Sequence, residues 1–391
     1  MTHRVTAFPL GAATTLAELS RDPHPRLALL RAREPVSWLP ELGGWLVTRR
    51  DLAVQVMRDA ETFTVDDPRF STAQVVGPSM LSLDGAEHAR HRAPFTDPFR
   101  PREVLGRFTA FTAKEADRLI DALVPQGAAE LRRGFAGPLA VAVMAEALGL
   151  AGTATGTVQS WYDAIVDAVT RITAGQAPGP DGAAAYEQLK TAVEHTVGGP
   201  DSTSLLASAA GALSLSEVTS NAAVLLFGGL ETTEAMIANL LVQLLNDSEQ
   251  LAAVRGGGPD PLDGAIEESL RLEPGAMVVD RYATRDTTLD SVTVTAGDLV
   301  SVSLAGANRD PAVFMDPDRF DIRRGNARLQ LAFAHGPHYC VGAHLARLET
   351  RVALRRLLER LPGLRLDPGR PRPETRGLVF RKPQAVHVVW G

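Results

Sequence analysis

A mainly α-helical fold with small β-sheets is what this sequence predicts, and three observations carry the expectation. One proline-free segment, 215–247, is apolar on most faces and reads as a buried helix. A second segment, 343–361, places Leu345, Leu348 and Val352 on one helical face. The strand-like stretches are short and bunched, at 277–284, 288–297 and 299–306, with a further pair at 377–381 and 385–391.

The long helix has a defined start, because Ser214 and Glu217 fit the Ser-x-x-Glu capping box. At about 1.5 Å per residue it spans roughly 48 Å. Gly228 and Gly229 sit in its middle, and each costs about 1 kcal/mol relative to alanine. Two readings of the pair stay open: close helix packing, or a local opening of the helix beside a ligand. The next helix is expected to begin at Asp260-Pro261, with aspartate as cap and proline in the first turn, and to stop at Glu273-Pro274-Gly275. Residues 174–184 are rich in glycine and proline and read as a flexible loop, and 198–201 as a second break. Neither is read as a boundary, since the motifs below draw on both sides. The expectation is one domain over 1–391.

A chain of 391 residues is long enough to bury a large core. With 45% hydrophobic and 22% charged residues, wholesale disorder is excluded. A formal net charge of -6 gives no support to nucleic-acid binding, which needs a basic face. Among the 40 basic residues only Lys114, Lys190 and Lys382 are lysines, so an arginine is not special here by itself. No apolar run approaches the roughly 20 residues of a membrane span, and the start MTHRVTAFPL lacks the apolar stretch of a secretion signal. A cytoplasmic location and no membrane partner are expected. The single cysteine, Cys340, excludes an intrachain disulfide and any multi-cysteine zinc or iron–sulfur site.

Cys340 lies in FAHGPHYCVGAHLARLE, after a Gly/Pro turn and before a helix. Most isolated cysteines are small buried apolar residues. Here the helix start offers unpaired N–H groups and a positive dipole end, both of which stabilise a thiolate. Gly336 and Gly342 allow close backbone approach to a flat ligand. Two metal readings compete: a zinc ion held by His335, His338, Cys340 and His344, or one axial thiolate on haem iron. In the second, Phe333 packs beside the cysteine and the porphyrin, and His338 reaches a propionate.

FAHGPHYCVG resembles the cysteine-ligand loop of the cytochrome P-450 superfamily, Phe-x-x-Gly-x-His-x-Cys-x-Gly in the bacterial soluble type. Phe333, Gly336, His338, Cys340 and Gly342 match, while His335 departs from the small residue common there. Further motifs follow in the family's order. GGLETT is similar to the oxygen-activating stretch, with Glu231 on the acid and Thr232 on the threonine. Thr232 is four residues after Gly228, so its hydroxyl is placed to bond the Gly228 carbonyl and open the helix. A hydroxyl beside a carboxylate is a proton relay. Glu-x-x-Arg occurs at Glu18, Glu87, Glu115, Glu130 and Glu268, but only Glu268–Arg271 lies between these two motifs. The resemblance pairs it with an arginine in a later loop, read as Arg319 in DPDRF. In DGAEHARHR, His88 and Arg92 match the family's His-x-x-x-Arg, which contacts haem propionates. Arg281 matches a third propionate-binding position, and Arg90 and His91 are read as exposed neighbours.

The resemblance implies a P-450 fold with haem b between the long central helix and the cysteine-ligand loop, Cys340 being the axial ligand. It implies a monooxygenase that inserts one oxygen atom from O2 into a mostly apolar small molecule, by hydroxylation or epoxidation, in secondary metabolism or catabolism. Electrons are expected from a separate ferredoxin and ferredoxin reductase, docking on the cysteine side near Arg90, His91 and Arg102. Substrate contacts are expected by position at Met80, Phe227, Gly228, Met277, Val278 and Val379. The segment from about 60 to 80 is expected to cap the pocket. The alternatives are a peroxide-using haem-thiolate enzyme, a non-enzymatic haem sensor or carrier, and a zinc-stabilised helical binding protein. The Glu231–Thr232 pair favours the oxygen route over the first.

Overall fold

Ser214 caps the longest helix, Leu215–Asn246: its side chain accepts from the Glu217 N–H, and the Glu217 carboxylate takes the Ser214 N–H at 2.8 Å. The computed structural model describes residues 2–150, 152–173, 176–199 and 204–391. The long helix runs through the main core, with Gly137–Leu148, Pro180–Val197, Pro259–Leu272 and Ala343–Arg360 packed against it. It is long and apolar enough to cross a membrane by length and composition, which corrects the expectation that no apolar run approaches a span. However, 72% of its most apolar stretch is buried inside the protein, as a core helix requires.

Helix Ala343–Arg360 lies beside Pro101–Leu123, and their ion pairs fix the direction. Arg360, at one end, reaches Asp117 at 3.2 Å and Asp121 at 2.5 Å, both late in the partner helix. The two helices therefore run parallel, and Arg102 sits at the same end as Cys340. Leu345 and Leu348 are buried as expected, and Val352 is half-buried.

The principal sheet has five strands in the order Val36–Leu39, Gly44–Val47, Leu299–Ser303, Val278–Ala283, Phe63–Thr64. Gly44–Val47 pairs in parallel with Leu299–Ser303, and the other neighbours are antiparallel. Several expected boundaries move. The stretch 288–297 splits into a hairpin, Thr287–Leu289 with Val292–Val294, turned at Asp290 with φ 57°. The helix expected from Asp260 begins at Pro259, because Gly258 turns the chain at φ 72° and no side chain caps it. The loop expected over 174–184 ends earlier, since Pro180 starts a helix. Residues 174–175 and 200–201 lie outside the described residues. The stretch 377–381 is no strand: Gly377, at φ 130°, turns the chain between Thr375–Arg376 and Lys382–Pro383, which pair with each other. His387–Val389 pairs instead with Ala128–Glu130 and Arg365–Leu366.

The buried ion-pair motif also needs one correction. Glu268 and Arg271 are fully buried and form two hydrogen bonds of 2.8 Å. The third member is Arg324, whose Nε lies 3.0 and 3.1 Å from the Glu268 oxygens. Arg319, the expected partner, is exposed and contributes only its backbone carbonyl, to Arg271 at 3.1 Å and to Arg324 at 3.2 Å.

Candidate active site

The cysteine loop is shaped by one glycine that nothing else replaces. Gly336 has φ 75°, and an added Cβ would lie 2.4 Å from the Met57 carbonyl oxygen. The Cys340 N–H donates to the Phe333 carbonyl at 2.9 Å. The Phe333 ring is buried beneath the Arg347 guanidinium, 4.4 Å from its centroid. Gly342 caps helix Ala343–Arg360, and a Cβ there would come within 4.0 Å of the sulfur. Burial pushes the Cys340 thiol up, while the Gly342 N–H, Arg92 and Arg347 pull it the other way.

The zinc reading finds no support. His335 accepts from Arg58 Nε at 2.8 Å, His338 turns to Asp84, and His344 is exposed. Among the described residues no three His, Cys, Asp or Glu side chains are grouped to hold a metal ion.

His88, Arg92, Arg281 and His338 converge beside the loop. The rings of His88 and His338 stack with centroids 4.3 Å apart. Arg92, four residues from His88, donates to the Tyr339 carbonyl next to the cysteine. Arg281 comes from strand Val278–Ala283, is buried, and donates to the Asp280 carbonyl at 2.7 Å. Burial pulls its guanidinium down to about 10 against the fields of Asp84 and Asp280. Burial likewise brings His88 down to about 4, with His338 and Arg92 adding to the effect. His88 Nε2 is buried with no hydrogen-bond partner. A buried arginine and an orphaned imidazole nitrogen at one place call for an anion, so the donor set fits the two carboxylates of haem.

Sequence reasoning missed Asp84. Its carboxylate holds His338 Nε2 at 2.7 Å, the Thr64 hydroxyl at 2.6 Å and the Val65 N–H at 2.8 Å. Burial opposes its ionisation, but these bonds outweigh it and bring the carboxyl to about 2. Its place four residues before His88 was the available signal. His91 is not exposed as expected: it is buried, and its Nδ1 accepts from Asn221 of the long helix at 3.0 Å. Arg90 is exposed but paired with Glu87 and Glu217.

On the long helix, the two glycines answer differently. A Cβ on Gly229 would lie 2.1 Å from Met144 Cε, so this glycine serves close packing. A Cβ on Gly228 would meet nothing within 4 Å, so free space lies beside the helix there, although the helix itself runs unbroken. The Thr232 hydroxyl donates to the Gly228 carbonyl at 2.5 Å. Glu231 is held by Lys382 Nζ at 2.7 Å and by the Tyr162 hydroxyl. Neither partner was anticipated, although Lys382 is a rare lysine in an arginine-rich chain.

The positions expected to touch substrate divide. Phe227 precedes Gly228 and meets the Phe380 ring edge-on at 5.3 Å. Val379 is exposed, on the turn beside Phe380. Met80 is buried in the main core, its N–H held by Asn221 at 2.9 Å. Met277 packs with Leu19, Leu27 and Leu30 in a cluster under the N-terminal helices, and Val278 lies against the same cluster. Met277, like Met80, is buried.

Comparison with known proteins agrees with this geometry. The cytochrome P450 family model matches residues 261–389. The chain is 36% identical to the cytochrome P450 monooxygenase PikC of Streptomyces venezuelae, over 92% of this chain and 90% of that protein. It is 34% identical to the mycinamicin IV hydroxylase/epoxidase of Micromonospora griseorubida, over 93% of this chain and 95% of that one. The crystal structure of CalO2 superposes with a TM-score of 0.87 at 29% identity, covering 97% and 99% of the two chains. The chain therefore belongs to the cytochrome P450 family and is a monooxygenase with a cysteine-ligated haem.

Proposed function

We propose that this enzyme inserts one oxygen atom from O2 into a mostly apolar small molecule, by hydroxylation or epoxidation, with haem b held through Cys340. The observation that carries the reading is the open space beside Gly228 on the long helix, with the Thr232 hydroxyl on the Gly228 carbonyl and Glu231 adjacent. Haem supplies the oxygen-activating and insertion chemistry when bound. The chain supplies everything around it. His88, Arg92, Arg281 and His338 would hold the two propionates. Thr232 holds a proton at its hydroxyl, and Glu231 replenishes it. Phe227, Val379 and Phe380 offer an apolar wall that orients substrate and excludes water.

Relatives named hydroxylase/epoxidase support a product of secondary metabolism as the substrate class. One structural neighbour at 27% identity was solved with a fatty acid carried on acyl carrier protein, so a carrier-bound substrate belongs among the candidates. Titrating the ferric protein with apolar natural products and aromatic compounds tests the reading. A compound that drives the Soret band toward high-spin iron names the class. A band that no free compound moves directs the search to carrier-bound forms. A protein with no Soret band after haem supplementation overturns the assignment of Cys340.

Electrons come, on this reading, from a ferredoxin and its reductase in the cytoplasm. Docking belongs on the cysteine side, where Arg102 is exposed at the same helix end as Cys340. Arg102→Glu is expected to slow reduction by ferredoxin about tenfold at low salt, with the difference shrinking as salt rises. Reduction kinetics unchanged by the reversal would refute this docking face.

A further inference from the structure

In this structure both oxygens of the relay acid Glu231 are engaged. Lys382 Nζ lies 2.7 Å from one of its oxygens and also bonds Glu234, while the buried Tyr162 hydroxyl donates to the other oxygen. Arg132 completes the group at 3.1 Å from Glu234. Two carboxylates and two cations balance, and all four side chains are between 10% and 16% exposed. A charge pair in such a place resists separation, so whatever moves Lys382 sets how readily Glu231 turns away from it.

Lys382 is linked through its own chain segment to the long helix. It stands two residues after Phe380, on the chain segment that leaves the Gly377 turn. The Phe380 ring rests on Phe227, the residue before the open Gly228. Between them, Arg381 is anchored: its N–H donates to the Gly275 carbonyl at 3.0 Å and its own carbonyl accepts from Asn239 at 3.1 Å. Gly275 in turn lies against the Thr232 backbone, where a Cβ would come within 3.0 Å of the carbonyl oxygen. One short segment therefore carries an aromatic wall of the pocket, a pivot against Thr232 and the cation that holds Glu231.

We propose that Lys382 is a positioning residue that locks the proton-relay acid while the pocket is empty, and that filling the pocket against Phe380 releases it. This rests on the monooxygenase reading given above. Pocket filling displaces Phe380 from Phe227, turns the segment about Arg381, and draws Lys382 from Glu231. Part of the binding energy of a bulky occupant is then consumed in opening the pair. By linkage, removing the pair tightens binding of a bulky occupant and leaves a small iron ligand unaffected.

The test uses the haem-loaded ferric protein and two iron-binding probes, 4-phenylimidazole, which reaches the aromatic wall, and imidazole, which does not. The variant K382M/E234Q removes one charge of each sign, so the group stays neutral overall, with Arg132 and Glu231 the remaining pair of charges. It is expected to bind 4-phenylimidazole about fivefold or more tightly than the parent, with imidazole affinity unchanged. K382R, which keeps the cation, is expected to keep the parent ratio of the two affinities. Reductant consumption without substrate is expected to rise in the double variant and not in K382R. An unchanged affinity ratio in a double variant with a normal thiolate–haem spectrum would overturn the lock and leave the monooxygenase reading intact. A parent protein lacking that spectrum would overturn both.

Discussion

Replacing Arg271 by methionine is expected to cost about 3–5 kcal/mol of stability, the cost of breaking a buried ion network by removing one partner. The side chain is fully buried, and each of its five N–H donors has a partner. Nε and Nη2 grip the two Glu268 oxygens, Nη1 bonds the Asn308 and Pro317 carbonyls at 3.0 and 2.7 Å, and Nη2 also reaches the Arg319 carbonyl at 3.1 Å. Methionine fills much of the volume but leaves the Asn308 and Pro317 carbonyls without this donor and the Glu268 carboxylate with Arg324 alone, the Arg319 carbonyl keeping its bond from Arg324. Lysine is not a rescue, because three donors on a point charge cannot reproduce a planar fork of five. Urea unfolding of the haem-loaded protein, followed by far-UV circular dichroism and by the Soret band, measures both the loss and its location. The backbone tied by Arg271 runs from 308 to 319, and the chain leads from there into the cysteine loop, so the Soret signal is expected to fail no later than the helical signal. A loss below about 1 kcal/mol would mean that the network is solvated in solution and does not hold this scaffold.

This network shows where sequence reasoning ends. Glu268–Arg271 was legible because both residues lie on one helix, three apart, in an ordered series of motifs. Its third member was not, because the choice between Arg319 and Arg324 is made by the loop. Asp316, at φ 46°, turns the chain so that the Arg319 carbonyl faces inward and its side chain faces water, which leaves Arg324 to reach Glu268. The same division holds elsewhere. The cysteine loop, the capping box at Ser214 and the His88–Arg92 spacing are local patterns and could be read directly. Strands Val36–Leu39 and Gly44–Val47 could not. All eight of their residues are buried, so no alternation marks them, and one pairs in parallel with a segment some 250 residues later. The hold of Lys382 on Glu231 is equally long-range, and only the scarcity of lysine hinted at it. Met277 shows the same limit: apolar character says that a side chain is buried, not which cluster it joins, here that of Leu19, Leu27 and Leu30.

Thr232→Ala is expected to leave haem loading, substrate binding and the rate of reductant consumption close to the parent while product formation falls by about 10²-fold, the contribution of one positioned proton-transfer group. Reductant that no longer yields product is expected to appear as hydrogen peroxide. In the parent the Thr232 hydroxyl donates to the Gly228 carbonyl at 2.5 Å, beside open space over Gly228. That bond fixes the hydroxyl at the mouth of the opening with its lone pairs free to accept a proton passed from Glu231. Alanine keeps the helix, since it is the best helix former, and removes only the hydroxyl. Binding and electron entry do not use that hydroxyl, so they should survive; proton delivery uses it at every turnover. Thr232→Ser restores the oxygen on a smaller side chain and should recover most of the coupling, which separates a chemical role from lost packing. Glu231→Gln should act at the same step, yet with a larger solvent isotope effect, because the donor behind Thr232 is then gone. The measurement is product, peroxide and reductant from the same reaction mixture. Unchanged product per reductant in Thr232→Ala would show that protons arrive by another route and that the hydroxyl only satisfies the Gly228 carbonyl.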